Sequence, residues 1–261
     1  MPVFRRQAHP TKARISVARL SRPQGLRRAA AAVFDPATLA LEGWWRADYS
    51  ATPWVGTASA GGSGGRNATG AGGTGNPTPG TAINGRVPAD FDGVNDYFSL
   101  PGTATDYLTQ SLYSGCAVVN IDAIDTDSAT FIQNDCIIEI NVGYLGVFLR
   151  SSGVVGLTQS DGAFKTATHT FATGGWHLVH WRFSGGLLQI GVDGDWGATA
   201  ASGNLAAAAL GQVVLFGRQH NGPVIDGRVA ELMLSKVDIF AAGISNLASY
   251  FNARYALGLP T

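Results

Sequence analysis

Between Arg86 and Ser235 the chain is a succession of short β-branched or aromatic runs, each broken by Gly, Asn or Asp. They are Val87–Phe91, Tyr97–Leu100, Ser114–Ile121, Ala129–Gln133, Ile137–Val142, Leu145–Arg150, His169–Ala172, Trp176–Phe183, Leu187–Val192, Val213–Gly217 and Gly227–Ser235. Many short strands with frequent turn signals favour a two-sheet β-sandwich. Trp176–Phe183 and Leu187–Val192, separated by Ser184-Gly185-Gly186, read as a hairpin with a tight turn. Leu41 to Asp48 reads as a first strand. Glycine, at 35 residues of 261, is abundant enough to supply that many turns, and charged residues are only 14% against roughly 25% in an average globular protein. A chain this lightly charged can build a core but has little solvated, ion-paired surface.

The period changes at the end. Ile244, Leu247, Phe251 and Tyr255 fall at helical spacing with Ala248 on the same face, Arg254 in the last turn, and Gly258 and Pro260 beyond. One short helix over residues 243–257, packed on the sandwich, is expected.

The N-terminal 33 residues behave differently. They carry Arg5, Arg6, Lys12, Arg14, Arg19, Arg22, Arg27 and Arg28 and no Asp or Glu, and they have no sustained apolar period. Residues 34–261 keep 10 basic against 18 acidic residues, so a net charge of zero conceals a basic arm on an acidic body. Alone, the arm cannot bury enough apolar surface to offset its ordering entropy. It is expected to dock on something acidic: a neighbouring subunit, a copy of this body, or nucleic acid. Phe4 is its one aromatic, so it lacks a base-stacking platform, and assembly is the favoured role. The N-terminus has no uninterrupted apolar segment of the secretory kind, although its Arg-rich, acid-free start overlaps with organelle-transit composition. No apolar stretch reaches the roughly 18–20 residues needed to cross a bilayer.

The domain division expected is therefore an arm over 1–33 and one sandwich over 34–261. Within it, residues 56–80 form a long Gly-rich loop with no apolar period. Cys116 and Cys136 lie in apolar, strand-like runs without metal-type spacing and are expected as buried free thiols.

Three segments resemble the concanavalin-like, laminin-G-like lectin superfamily. Phe91-Asp92-Gly93-Val94-Asn95-Asp96-Tyr97 is similar to its F-D-G-x-x-D-Y strand–turn–strand. Trp176-His177-Leu178-Val179 running to Val192-Asp193-Gly194 is similar to its W-H-x-V … V-D-G hairpin. Ala230 to Ser235, followed by Tyr250-Phe251-Asn252-Ala253-Arg254-Tyr255, resembles the closing strand and helix of bacterial and phage versions. The resemblance covers about residues 40–258 and implies an all-β, antiparallel jelly roll. Domains of this look occur in tailed-phage structural proteins. The expectation is thus a non-enzymatic virion protein, a capsid decoration or head/tail accessory subunit present in many copies or as a homo-oligomer and held to other virion proteins by its arm. The fold itself hosts many functions.

Glycoside hydrolysis needs two flanking carboxylates. The glucanase relatives carry Glu-x-Asp-x-x-Glu, whereas this chain has only Glu42, Glu139 and Glu231, and Ile140-Asn141 follows Glu139. Asp92, Asn95 and Asp96 are hard-oxygen groups in one turn and weak Ca²⁺ candidates, as are Asp122, Asp125 and Asp127; the turn-forming habit of Asp and Asn explains both clusters equally. No other cofactor is implied. His177 and His180, three apart on one strand, face opposite ways and cannot chelate together; His169 and His220 have no ligand partners at metal spacing. The virion reading has two rivals: a glycan-binding module for host attachment and, behind it, a glycoside hydrolase. Sugar stacking needs exposed aromatics, and Trp54 and Trp196 are the candidates, with Arg218, Gln219, His220 and Asn221 as a polar loop to add hydrogen bonds; the favoured alternative is that both tryptophans cover the ends of the sandwich.

Overall fold

The computed structural model describes residues 34–59, 66–70, 75–124, 135–141, 144–207, 211–217 and 224–261. Residues Val33–Thr261 form one compact unit. Among the described residues sixteen strands and one α-helix occur. The strands are β1 (Gly43–Arg46), β2 (Thr69–Gly70), β3 (Thr78–Pro79), β4 (Ala89–Asp92), β5 (Phe98–Ser99), β6 (Tyr113–Ala123), β7 (Asp135–Ile140) and β8 (Leu145–Arg150). They continue with β9 (Val154–Ser160), β10 (Phe164–Thr170), β11 (Trp176–Ser184), β12 (Leu187–Val192), β13 (Asp195–Trp196), β14 (Ala200–Ala201), β15 (Val213–Leu215) and β16 (Asp226–Ser235). The helix, α1, spans Ser245–Tyr255.

The strands form two antiparallel sheets, as the sequence implied. One runs β13-β12-β11-β6-β16-β4-β3, with β1 also on β16 and β14 also on β12; the other runs β10-β9-β8-β7-β15-β5-β2. Alternation places every second side chain between them. Ala117, Val119 and Ile121 of β6, Val179, Trp181 and Phe183 of β11, and Leu188 and Ile190 of β12 meet Ile138, Ile140, Val147, Leu149, Val155 and Leu157 of the second sheet. Each such side chain contributes about 1.5–3 kcal/mol by leaving water.

The first sheet is also covered on its reverse face. Cys116, Val118, Leu178, Ala230 and Met233 point away from the second sheet and pack with Leu247, Ala248, Phe251 and Tyr255 of α1. Burial on both faces explains why β6 reads as a continuous apolar run. Cys116 and Cys136 are free and buried. The helix is shorter than its sequence period by two residues at each end. Its C-cap, Ala256, takes a left-handed conformation (φ 57°), and the Asn252 amide grips the chain beyond through Leu259 N (2.7 Å) and O (2.8 Å).

The β11–β12 hairpin turns through Gly185 and Gly186, both at positive φ (58° and 78°), as a two-residue primed turn requires. One hairpin escaped the sequence reading: β9 and β10 pair along seven residues from Phe164↔Ser160 to Thr170↔Val154. Its runs are diluted by Gly, Thr and Gln, and β10 is an edge strand with a largely exposed, polar face. The expected strand His169–Ala172 is only the end of β10, and Ala129–Gln133 lies outside the described residues. The described parts of the Gly-rich segment are not plain loop. β2 pairs with β5 and β3 with β4, so the segment stitches onto both sheets. Among the described residues no helix is long and apolar enough to cross a membrane.

Candidate functional site

Trp176 and Asn120 stand two residues beyond Leu178 and Val118 on the same reverse face of the first sheet; Trp176 is half-buried against the helix-side cluster and Asn120 is buried. Cross-strand register then builds a row: Trp176 of β11 lies opposite Asn120 of β6, Asn120 opposite Arg228 of β16, Arg228 opposite Asp90 of β4, and Asp90 opposite Thr78 of β3. Five strands at about 4.8 Å separation make the row roughly 19 Å long. It presents, in order, an indole, an amide, a guanidinium, a carboxylate and a hydroxyl on a rigid sheet.

Gly227 makes this arrangement possible. It sits at a register shift between β16 and β6, and a Cβ there would fall 2.4 Å from the carbonyl oxygen of Asn120. Only the missing side chain lets the two strands close at that point and set Arg228 beside Asn120.

Arg228 donates through one terminal nitrogen to both oxygens of Asp122, at 2.9 and 3.2 Å, and its guanidinium lies 5.9 Å from the Trp176 ring centroid. Burial pushes the Asp90 carboxyl above the usual carboxylate range. Arg228 pulls it back, while Asp122 and Asp226 add to the rise. Asn120 is 6% exposed, and its Oδ1 has no hydrogen-bond partner; neither has the buried Nε of Arg228. Each buried unpartnered polar atom costs about 1–3 kcal/mol. Two such atoms on neighbouring residues of one row mark it as incomplete.

A second concavity opens at the sandwich edge, a groove of about 370 Å³ lined in part by His169, Phe171, His177, Asp193 and Asp195. His177 Nδ1 is 2.7 Å from Asp193 Oδ2, whose other oxygen accepts from Leu178 N at 2.9 Å. His169 Nε2 is 3.5 Å from Asp195. A carboxylate-oriented imidazole can move a proton, but the lining residues include no Ser or Cys nucleophile.

The aromatic candidates read from sequence are placed elsewhere. Trp54 is a correction: it is 2% exposed, its Nε1 donates to Arg46 O at 2.8 Å, and its ring packs on Phe98 and Tyr49. It offers no face for a sugar. Trp196 is half-buried, edge-on to His180 at 4.2 Å, and the Arg182 guanidinium lies 4.7 Å from its ring centroid. Arg182 is itself fixed by Gln189 and Asp238 and covers one face of the Trp196 ring. Arg218, Gln219, His220 and Asn221 lie outside the described residues, as do Asp125, Asp127 and the arm residues Arg5, Arg6, Lys12, Arg14, Arg19, Arg22, Arg27 and Arg28.

The Ca²⁺ candidates serve a turn. Asp92 Oδ1 accepts from Val94 N (2.8 Å) and Asn95 N (3.2 Å), and Asp96 Oδ2 accepts from Asp92 N (3.0 Å). Among the described residues no group of three or more His, Cys, Asp or Glu is placed to hold a metal ion. His177 and His180 do face opposite ways: the first lines the edge groove and the second is buried against Trp196 and Phe240. Sequence reasoning missed Trp176, Asn120, Arg228 and Asp90 as a set. The local signals were isolated polar residues in two largely buried strands, Asn120 in β6 and Arg228 in β16.

No family model and no curated protein sequence matches the chain. Solved structures do resemble its fold. Domain 4 of AbnA, a GH43 extracellular arabinanase from Geobacillus stearothermophilus determined with arabinotriose, superimposes with a TM-score of 0.52 at 15% identity, over 67% of this chain and 86% of that one. The botulinum neurotoxin serotype G binding domain gives 0.57 at 12% identity, over 82% of this chain and 51% of its own. Trypanosoma rangeli sialidase with 2,3-difluorosialic acid gives 0.56 at 13% identity, over 84% of this chain and 34% of its own. The chain thus spans about half of the toxin domain and a third of the sialidase. At these identities the likeness establishes the architecture: an all-β sandwich of the jelly-roll kind.

Proposed function

We propose that the sandwich is a non-enzymatic glycan-binding module whose ligand lies across the row Trp176–Asn120–Arg228–Asp90–Thr78. The observation that carries this is the pair of unpartnered buried atoms, an acceptor on Asn120 and a donor on Arg228, beside a half-buried indole. A hydroxyl both donates and accepts, so one sugar hydroxyl satisfies both. The two atoms are closed to solvent as the side chains lie, so Arg228 swings from Asp122 to admit it. Trp176 supplies the apolar ring face, and Asp90 and Thr78 extend the polar track. The likeness to an arabinanase domain solved with arabinotriose supports the reading. Glycan-array screening followed by calorimetry tests it. Wild type binds, and Trp176→Ala and Arg228→Ala each lose at least tenfold in affinity; equal binding by the variants would overturn it.

A second reading rests on the charge split, eight basic residues and no acid in 1–33 ahead of an acidic body. In it the arm fastens the sandwich to an acidic particle surface, as in a virion decoration protein. Deleting residues 1–33 then leaves a folded domain that no longer joins its assembly. Unchanged incorporation would overturn that role without touching the glycan reading.

A further inference from the structure

The row's electrostatics specify the class of sugar, an inference that rests on the glycan reading above. Asp90, Asp92 and Asp122 all project from the reverse face of the first sheet around the single guanidinium of Arg228, and Asp226 is close enough to Asp90 to raise its carboxyl. That guanidinium is already committed to the two oxygens of Asp122. Among the described residues, Asp90, Asp92 and Asp122 stand against one paired cation, Arg228, and give this part of the surface a negative sign. Asn120, nine-tenths buried with an acceptor oxygen that lacks a donor, asks for a hydroxyl or an N–H and not for another oxyanion.

We propose that this site binds neutral sugar chains and rejects those bearing carboxylates or sulfates. A neutral chain offers hydroxyls that donate to Asp90 and Asn120 and accept from Arg228. An acidic sugar has to bring its charge among like charges. Rejection by like charge is how polar sites gain specificity, and it is cheap here because the carboxylates are built into the sheet.

The test is calorimetric titration of the full chain with a neutral trisaccharide such as arabinotriose, its glucose counterpart, sialyllactose and a uronic acid trimer, each at low and physiological salt. A neutral trisaccharide binds, and the acidic ones bind at least tenfold more weakly at low salt. The gap narrows as salt screens the repulsion. Asp92→Asn, on the same face but outside the row, narrows it further and leaves neutral binding in place. Acidic sugars binding as well as neutral ones would overturn this inference and leave the glycan reading standing. Failure of every sugar to bind would overturn both.

Discussion

The indole Nε1 of Trp44 donates to Glu231 Oε1 at 2.6 Å, joining β1 to β16 across 187 residues of sequence. Glu231 is 0% exposed, and the rest of its carboxylate is taken by the C-terminal helix: Tyr250 Oη donates at 2.9 Å, Tyr255 Oη donates to Oε2, and Arg254 Nε approaches to 3.3 Å. Burial raises the Glu231 carboxyl above its usual range, while Tyr255, Trp44, Arg254 and Tyr250 hold it back. This cage fastens α1 over the reverse face of the first sheet.

Removing the carboxylate tests the cage. Glu231→Ala leaves Arg254 and three donors without their acceptor, and breaking such a buried pair costs about 3–5 kcal/mol. Tyr255→Phe removes one charge-assisted bond and costs about 1.5–3 kcal/mol. Urea unfolding measures both losses. A change below 1 kcal/mol for Glu231→Ala would mean that the helix is held by its apolar face alone.

His180 predicts a pH dependence. Burial depresses its imidazole from 6.5 to about 4, with a weak bond to Leu178 O opposing. Below about pH 6.5 the unfolded chain takes a proton that the folded chain refuses, so stability falls as the pH drops from 6.5 and levels off below about 4. The full loss is about 3 kcal/mol. His180→Phe, which suits the company of Trp196 and Phe240, removes it. The quantity to follow is the wild-type minus variant difference in unfolding free energy between pH 7 and 4, because acids such as Glu231 act in the opposite sense. A flat difference would refute the assignment.

The tryptophans separate by role. Trp54→Ala empties a core position and costs about 3–5 kcal/mol. Trp196→Ala lowers the melting temperature and leaves sugar affinity within twofold. Trp176→Ala does the reverse: it lowers affinity at least tenfold with a small change in stability. Paired thermal melts and titrations on the three variants decide it.

Gly227→Ala sets a Cβ against the Asn120 backbone, and the strain costs about 1–3 kcal/mol. The sheet relieves it by opening β16 from β6, so the variant also binds sugar more weakly. Unaltered affinity would show that the register shift does not shape the row.

Much of the sandwich was legible because its elements are local. The β11–β12 hairpin is announced by Gly185-Gly186 and the helix by Leu247, Phe251 and Tyr255. The row was not legible, for two physical reasons. Its members come from five strands far apart in the chain, and their meeting depends on register, which a single sequence does not encode locally. The second reason is the bulge between Val229 and Glu231. Strict alternation from Arg228 puts Leu232 and Leu234 on the outer face, whereas the bulge turns them into the core and aims Glu231 at the helix. Of the two roles the sequence leaves open for Trp54, sugar platform or cover for a sandwich end, the structure gives the second, because the described parts of the Gly-rich segment fold back and bury it. Ala68 closes a backbone pair with Trp54 at 2.8 and 2.9 Å.

The neutral sugar chain is placed on the Trp176–Asn120–Arg228–Asp90 row of the first sheet. The most direct test of that placement is a ¹⁵N-labelled titration of the full chain with a neutral trisaccharide. The account predicts the largest shifts at the Asn120 side-chain amide, the Trp176 indole N–H and the Arg228 Nε, with those of Trp54 and Trp196 unmoved. Shifts centred on Trp196, on the His177–Asp193 groove, or on no residue of the row would contradict it.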